Sequence, residues 1–266
     1  MAKLTMPLHT HLTNASGVFH PSKNAQYYNL NIYQPAEHLT SIIDCYWFAD
    51  WDLQDTTTHI QRNLPSPNMH LVFDHSSTYY TGVMTQAYET PLAGEHAIVG
   101  VKFKIGALNR YLPCDHNALK NLHFNSNDVL LPLKKEKNLV PKNHKASICI
   151  LNQLFHDLPP ASAQIKKVNH AWQTLLNNPE IDTVHSWANL AQLSVRTLQR
   201  LCTEHIGLTP KWLLRKQRCI YAIKLLDNKD YDIYDVILHL KLSDQAHLIK
   251  EFKTVLGLTP RQYLKL

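Results

Sequence analysis

The chain has 266 residues, of which 44% are hydrophobic, so it is long enough for more than one domain with a sizeable core. It lacks any run of the ~20 apolar residues that cross a bilayer, and its five cysteines form no CxxC pair, which argues against a membrane span, a disulfide framework and a zinc site. The formal net charge of +6 is uneven: residues 1–159 contain 12 Lys+Arg and 12 Asp+Glu, whereas residues 160–266 contain 15 and 9. A basic C-terminal part indicates a polyanionic partner, although solvated surface lysines explain the charge about equally well.

The first half is predicted to consist of short strands. Residues 1–17 contain one lysine and no apolar core of signal-peptide length, so we interpret them as a frayed tail of a cytoplasmic protein. Segments rich in aromatic and β-branched residues then alternate with turn-forming residues. A short helix is an alternative for 37–46, and helical patterns follow Gly106. The predicted strands are 45–51, 59–64, 69–75, 78–84 and 97–105, and the later helical patterns are 107–112 and 145–155.

A linker divides the chain at residues 156–163, HDLPPASA, because two adjacent prolines prevent a helix from continuing. Residues 164–266 carry helical patterns almost throughout, with about seven helices and short connections. The sequence therefore predicts an α+β protein of two domains. Residues 1–155 would form a sheet closed or packed upon itself with a few helices, and residues 164–266 would form an all-α domain.

The tetrapeptide Gly-Leu-Thr-Pro occurs at 207–210 and again at 257–260. Glycine after a helical run supplies the left-handed residue that ends a helix, threonine caps the next helix, and proline suits its first position. Each copy follows two short amphipathic patterns. A helix, a tight turn and a second helix, repeated in a basic region, predict paired helix-turn-helix units at about 183–206 and 232–256.

The second helix of the first unit separates an apolar face from a polar one. Ser194 is its predicted N-cap, and the spacing i, i+3, i+4, i+7 places Leu198, Leu201, Cys202 and His205 on the inward face. Arginine can pair with guanine, and glutamine with adenine, through two hydrogen bonds each, so the opposite face is suited to reading a major groove. No acid is present in this outward set, whereas ordinary solvated faces mix Glu with Lys. The outward side chains are Arg196, Gln199, Arg200 and Thr203.

The corresponding helix of the second unit has a different outward face. Its two lysines suit phosphates better than bases, and its apolar side chains could contact a thymine methyl. Glu251 falls at the edge of the inward face, where we expect an apolar residue. We therefore expect the first unit to carry most of the sequence specificity and the second to clamp the DNA backbone. The outward positions are Gln245, Ala246, Ile249, Lys250 and Lys253.

Four segments of the C-terminal part resemble the AraC/XylS family of bacterial transcription regulators. The resemblance implies two helix-turn-helix units joined by a linker helix at about 210–227, with recognition helices in successive major grooves about 34 Å apart. It also implies base reading by Arg196, Gln199 and Arg200 in the first unit and by Gln245, Ala246, Ile249 and Lys250 in the second. The segments that carry it are LAQLSVRTLQRL (190–201), GLTPKWLLRKQRCIYAIKLL (207–226), LSDQAHLIKEFK (242–253) and GLTPRQYL (257–264).

The sequence departs from the family pattern in both turns. Gln192 and Lys241 stand where the family usually has glycine, so both turns should be strained or differently shaped. Ile237 replaces a small alanine and could push the helices of the second unit apart, and Leu242 replaces an aromatic residue. Arg218 matches an arginine that the family keeps in the linker helix, and we interpret it as a structural partner rather than a DNA contact.

The segments 46–53, 64–73 and 97–108 resemble an uncharacterised sensor-type domain found ahead of this DNA-binding domain. The resemblance implies a cupin-like β-barrel that binds a small-molecule effector, mediates homodimerisation, or both, and RNA polymerase is a further candidate partner. An aromatic cluster could line the effector pocket or simply form the barrel core. Its candidate pocket residues are Tyr46, Trp47, Trp51 and Phe73.

Catalytic and metal motifs are weak in this sequence. His59, His70 and His75 lie on adjacent predicted strands, but the HxH motif with a following glutamate is missing. No Ser/His/Asp or Cys/His grouping has the spacing of a catalytic nucleophile and its base, and no glycine-rich phosphate-binding loop is present. We therefore predict no metal, no cofactor and no enzymatic activity. The leading hypothesis is an effector-responsive regulator that binds double-stranded DNA. The alternatives are a DNA binder whose first half only associates and a cupin-type enzyme fused to a DNA-binding domain.

Overall fold

The computed structural model of the chain describes residues 17–53, 58–75, 77–112, 114–125, 139, 143–228 and 230–266. Within these residues the protein is α+β, with strands in the first half and helices in the second, as the sequence predicts. The strands are β1 (Asn29–Tyr33), β2 (Ile43–Leu53), β3 (His59–Asn63), β4 (His70–Phe73), β5 (Thr78–Thr81), β6 (Tyr88–Leu92), β7 (Gly94–Phe103) and β8 (His123–Asn125).

The strands form two antiparallel sheets. Six of them pair in the order β1-β2-β7-β4-β5-β8, and β3 pairs with β6 alone. No pairing joins β1 to β8 among the described residues, so a closed barrel is not shown. The cupin-like architecture therefore stays a prediction.

All five predicted strands are present with shifted ends, and β1, β6 and β8 were missed. The proposed helix at 37–46 is wrong: a short 3-10 turn at Glu37–Leu39 precedes β2, which begins at Ile43. The apolar residues of segment 37–46 are buried because β2 pairs with β7. Local periodicity does not reveal this pairing, since β7 is distant in the sequence. The pattern at 107–112 likewise contains only a 3-10 turn, Asn109–Tyr111.

The first helix among the described residues is α1 (Pro21–Asn24), and α2 (His144–Leu154) packs beside the larger sheet. Seven further helices follow within the described residues, matching the number expected for the C-terminal part. Among the described residues, no helix combines the length and the apolar character that a bilayer crossing requires. The seven helices are α3 (Ala163–Asn177), α4 (Val184–Leu190), α5 (Val195–His205), α6 (Pro210–Asp227), α7 (Ile233–His239), α8 (Gln245–Leu256) and α9 (Pro260–Tyr263).

The repeated tetrapeptide ends one helix and begins the next at both places. Gly207 and Gly257 have φ angles of 73° and 75°, in the left-handed region. Thr209 caps α6 by accepting a hydrogen bond from the backbone N–H of Trp212 at 3.2 Å. Thr259 caps α9 in the same way. The local interpretation of the repeat is therefore confirmed.

One apolar core runs through both halves of the chain. Tyr46 and Phe103 of the larger sheet belong to the same cluster as Trp172 of α3, Trp187 of α4 and Leu198 of α5. The first pair of helices predicted to form a helix-turn-helix thus packs against the sheet region. The division at 156–163 stays a prediction, since the described core crosses it.

A second apolar cluster holds the last helices and takes in the start of the described chain. Phe19 is buried among residues of α6 to α9. His20, also buried, places Nδ1 2.9 Å from Oδ1 of Asp227 and Nε2 3.0 Å from the carbonyl oxygen of Tyr263. Its ring stacks on that of Tyr263 with centroids 4.1 Å apart. Residues 1–16 of the predicted tail lie outside the described residues.

Candidate nucleic-acid interface

Helix α5 presents the four predicted side chains to solvent. Ser194 caps the helix by accepting a hydrogen bond from the backbone N–H of Thr197 at 3.1 Å, which fixes where the helix begins. Leu198, Leu201 and Cys202 are buried on the inward face, and His205 is half-buried. The exposed side chains are Arg196, Gln199, Arg200 and Thr203. The angular prediction for this helix is therefore confirmed, while its contact with DNA stays a prediction.

The expectation that this outward face is free of acids needs a correction. Arg200 donates a hydrogen bond from Nη1 to Oε2 of Glu204 at 3.0 Å, and both side chains are about half exposed. The spacing i, i+4 places the two side chains on neighbouring turns of α5, and this spacing was readable from the sequence. Arg196 and Gln199 have no side-chain partner among the described residues. Of the two arginines predicted to read bases on α5, Arg200 is therefore the one whose guanidinium has a side-chain partner among these residues.

Helix α8 exposes fewer of its predicted contacts. Ala246, Lys250 and Lys253 are exposed, whereas Gln245 and Ile249 are half-buried. Asp244 caps the helix by accepting from the backbone N–H of His247 at 2.8 Å. The polar outward face predicted for α8 is therefore present, with its first and third members less accessible than their counterparts on α5.

Two grooves flank α8, so this helix stands between them as a ridge. The larger groove, of about 670 Å³, lies between the two helix pairs and has α6 as one wall. Five of its basic side chains come from α6 and α8, and three acids accompany them. The smaller groove, of about 300 Å³, is lined by Gln245 and Ile249 together with the start of α9. The larger groove is lined by Asp182, Thr183, Val184, Lys211, Leu214, Arg215, Arg218, Asp244, Ala246, His247, Lys250 and Glu251.

Glu251 occupies the inward position where an apolar residue was expected, because α6 supplies compensating charges. Its Oε1 accepts a hydrogen bond from Nη2 of Arg218 at 2.5 Å and lies 3.8 Å from Nε of Arg215. The same oxygen lies 3.5 Å from Nε2 of His247. A buried carboxylate requires such partners, and the one that donates the hydrogen bond, Arg218, lies 33 residues away in sequence. Arg218 of the linker helix α6 thus has a specific partner, Glu251 of α8, which supports its interpretation as a structural residue.

Both turns contain a non-glycine residue in left-handed backbone conformation. Gln192 has φ of 55° and Lys241 has φ of 52°, as the departures from the family pattern led us to expect. Each turn closes with the same backbone hydrogen bond. The N–H of Leu193 donates to the carbonyl oxygen of Ala188 at 2.9 Å, and the N–H of Leu242 donates to that of Ile237 at 3.0 Å. The bulk of Ile237 leaves the turn geometry intact. Side chains with a Cβ pay a steric cost in this region.

The four aromatic candidates for an effector pocket do not share one face of the sheet. Tyr46 and Phe73 are buried on the core side, and the Tyr46 hydroxyl donates to Oδ1 of Asn152 at 3.0 Å. Trp47 lies opposite Gly100 and points to the other side, since neighbouring residues of a strand alternate. A Cβ at position 100 would lie 1.9 Å from the Trp47 ring, so this glycine makes room for it. The predicted grouping of all four is therefore wrong.

The second face of the larger sheet holds a different set of half-buried groups. Nε1 of Trp47 donates to Nδ1 of His70 at 3.1 Å, and burial lowers the pKa of His70 to about 3. Trp51 lies beside His96, with ring centroids 5.3 Å apart. Burial raises the pKa of the Cys45 thiol to about 12, which keeps it protonated at neutral pH.

The predicted histidine set is divided between the two sheets. His59 lies on β3 and stacks on Tyr27, whereas His70 lies on β4 of the larger sheet. In the part of the chain that the structure describes, no three His, Cys, Asp or Glu side chains are arranged to hold a metal ion.

Profiles of two known domain families match parts of the two halves of the chain. A profile described as a helix-turn-helix domain matches residues 187–266, and a profile described as a domain of unknown function, DUF6597, matches residues 31–125. The first of these begins within α4 and runs through α9.

Curated relatives match the same C-terminal region. An uncharacterized HTH-type transcriptional regulator of Haemophilus influenzae is 32% identical over 103 residues, which cover 38% of this chain and 35% of the relative. The HTH-type transcriptional activator RhaS of Enterobacter sp. is 34% identical over 80 residues, or 29% of each chain. The chain thus matches about a third of the length of these relatives.

Two solved structures are similar to the chain at low identity. The C-terminal domain of AraT, a response regulator from Geobacillus stearothermophilus, is 24% identical with a TM-score of 0.35, covering 39% of this chain and 88% of that one. ToxT from Vibrio cholerae is 10% identical with a TM-score of 0.40, covering 90% of this chain and 98% of that one.

Proposed function

We propose that this chain, which belongs to the AraC/XylS family through its C-terminal helix-turn-helix domain, is a sequence-specific DNA-binding regulator of transcription. The observation that carries the proposal is the exposed face of α5. It offers Arg196 and Gln199, which have no side-chain partner in the described part of the chain, and Arg200 beside Glu204, on a helix whose other face is buried in the core. Guanidinium and amide groups presented in this way match the donor and acceptor pattern of guanine and adenine in the major groove.

The two helices would then contribute different terms to binding. Lysines and arginines neutralise phosphates and set the register, so affinity should fall steeply with salt. Each good base contact made by α5 should discriminate by ~1–3 kcal/mol. Lys250 and Lys253 of α8 are exposed point charges that suit phosphates, and Ala246 suits a thymine methyl. Gln245 and Ile249, half-buried, would contribute through the smaller groove beside α9.

For residues 1–155 we propose a small-molecule effector site, with association between copies as the alternative. Trp47 and Trp51, on the second face of the larger sheet, keep half-buried rings that a ligand could cover, whereas Tyr46 and Phe73 already serve the core. A cupin-like architecture for this half and its boundary at 156–163 belong to the same proposal. RNA polymerase and a second copy of the chain are the protein partners we expect of such a regulator.

DNA selection with the purified full chain tests the main proposal. We expect enrichment of a site with two specific segments about one helical turn apart, and a footprint on the DNA beside the gene of this protein. Arg196→Ala should abolish the enrichment of one segment, whereas Lys167→Ala, an exposed lysine on α3, should leave it unchanged. Indifference of the wild type to any duplex at low ionic strength would overturn the proposal.

Two further measurements separate the alternatives for the first half. A change in the footprint on adding a small-molecule cell extract would favour an effector, and an unchanged footprint would favour association alone. Stoichiometric metal in dialysed protein would instead favour the cupin-type enzyme.

A further inference from the structure

The C-terminal end of α5 is held by a side chain from the first half of the chain. A helix leaves its last carbonyl oxygens without partners of its own, so they need donors from elsewhere. The carbonyl oxygens of Cys202 and Thr203 accept from the backbone N–H of Gly207, directly after the helix. The carbonyl oxygen of His205 instead accepts from Nδ2 of Asn109 at 3.0 Å, a residue 96 positions earlier in the sequence.

This donor belongs to a tight turn shortly after the end of β7. The N–H of Asn109 donates to the carbonyl oxygen of Gly106 at 3.2 Å, which closes the turn 106–109. Gly106 has φ of 71°, and a Cβ there would lie 3.0 Å from the carbonyl oxygen of His205. The missing side chain therefore lets the turn approach the end of α5 closely. Ala107 and Leu108, between the two, are buried in the cluster that contains the inward face of α5.

The two copies of the repeated tetrapeptide differ in what surrounds their glycine. A Cβ at Gly207 would come within 3.0 Å of His116 and Lys120, and closer still to Asn117, all from the first half. A Cβ at Gly257, after α8, would have no such neighbour within 4 Å among the described residues. The φ angles of 73° and 75° are nearly equal, so the difference lies in the surroundings and not in the backbone. In the described part of the chain, the first half thus encloses the end of α5 and leaves that of α8 open.

We propose that Asn109 is a positioning residue for DNA recognition, which sets the tilt of α5 through the carbonyl oxygen of His205. An amide N–H suits this place because partial negative charge gathers at the C-terminal end of a helix. Arg196 lies about 14 Å along α5 from the held end, at a rise of ~1.5 Å per residue. A small tilt at His205 is therefore enlarged at the guanidinium that would read a base. This role rests on the proposed function.

The position of the turn indicates how the first half acts on DNA binding. Strand β7 is an inner strand of the larger sheet, with β2 and β4 as its neighbours. A rearrangement of the sheet that shifts the turn 106–109 would move α5 while leaving the end of α8 untouched. The first half would then alter recognition at one DNA segment and not at the other.

Asn169 of α3 offers a matched control at the same boundary. Its Oδ1 accepts from the N–H of Ile105 at 3.0 Å, and its Nδ2 donates to the carbonyl oxygen of Ile105 at 2.9 Å. It thus joins the residue before the turn to α3, with no hydrogen bond to α5. Asn169→Ala loses both bonds, whereas Asn109→Asp keeps the size of the side chain and replaces one donor with a carboxylate that repels the carbonyl oxygen.

Titration of the full-length variants against DNA sites altered in one segment at a time tests the proposal. The segment read by α5 is the one that Arg196→Ala erases. Asn109→Asp should lose ~3- to 10-fold in discrimination at that segment and stay within ~2-fold of the wild type at the other. Asn169→Ala should lower the Tm at least as much as Asn109→Asp, because it loses more hydrogen bonds, yet keep its discrimination at both segments.

Three results of this titration would overturn the positioning role. They are unchanged discrimination in Asn109→Asp, an equal loss at both segments, which loss of stability alone would produce, and the same selective loss in Asn169→Ala.

Hydrogen exchange of the full chain without DNA separates this proposal from the proposed function. The N–H of Gly207 closes the end of α5 and should exchange ~3- to 10-fold faster in Asn109→Asp, with a smaller change in Asn169→Ala. Equal exchange in the wild type and Asn109→Asp would show that Asn109 does not hold the helix. A wild type that discriminates no DNA site would refute the proposed function, and the exchange rates would still report on the hold.

Discussion

The two helix pairs repeat one backbone design but treat their acidic residues in opposite ways. Glu204 of α5 lies on the surface and pairs with Arg200 of the same helix, about half exposed. Glu251 of α8 is buried and pairs with Arg218 of α6. The first acid belongs to the face that would read DNA, and the second fixes the helix that carries such a face. Charge in the first unit therefore affects recognition, whereas charge in the second affects assembly.

Removing Glu251 should have the largest effect on this contrast. Glu251→Ala leaves Arg218 and Arg215 without their buried partner, and breaking a buried pair in this way costs about 3 kcal/mol. Glu204→Ala is the matched control and should cost at most ~0.5 kcal/mol, since its pair is exposed. Urea unfolding of the two variants measures both values. Similar losses for the two would contradict the division between surface and assembly roles.

Substitutions on the outward faces should separate base reading from phosphate binding. Arg200→Ala should lose ~1–3 kcal/mol of discrimination at one base pair. Lys250→Ala should weaken binding to all sequences alike and reduce the salt slope by about 1. Titrations against matched and mismatched sites at several salt concentrations measure both effects. The assignment fails if Lys250→Ala relaxes base preference more than Arg200→Ala does.

Glycine at the two turns should stabilise both units to a similar extent. Gln192→Gly and Lys241→Gly each remove the steric cost of a Cβ at positive φ, worth about 1 kcal/mol. The alanine variants at the same positions keep the Cβ and serve as controls without gain. Thermal unfolding of all four compares the units, and destabilisation by glycine would show that these side chains hold the turns.

The smallest effect is expected for Glu204→Gln. Loss of the carboxylate frees Arg200 and removes repulsion of phosphates, which should raise DNA affinity by less than about 1 kcal/mol at low salt and fade as salt increases. Glu180→Gln, an exposed acid outside the first unit, is the control. Equal gains in the two variants would point to net charge rather than to the pair on α5.

Local sequence signals predicted the helical half well. In each repeated tetrapeptide, the glycine ends one helix and the threonine begins the next. The 3.6-residue period correctly placed Leu198 on the inward face and Arg196 on the outward face of α5. Such features depend on neighbours along the chain, so the sequence alone contains them.

Features that depend on distant partners were not predictable in this way. The burial of Glu251 depends on Arg218, which belongs to another helix. Tyr46 and Trp47 point to opposite faces because neighbouring residues of a strand alternate, but which of the two faces enters the core depends on the pairing of β2 with β7. A one-residue shift of register would exchange the two faces.

The packing of Phe19 and His20 against the final helices has a practical consequence for anyone who shortens this protein. A fragment starting after the paired prolines would lack the imidazole that bridges Asp227 and Tyr263, along with the benzyl group beside them. During synthesis, His20 cannot make this contact until Tyr263, 243 residues further along the chain, has emerged. Changes near Phe19 and His20 should therefore be judged by the stability of the helices around Asp227 and Tyr263.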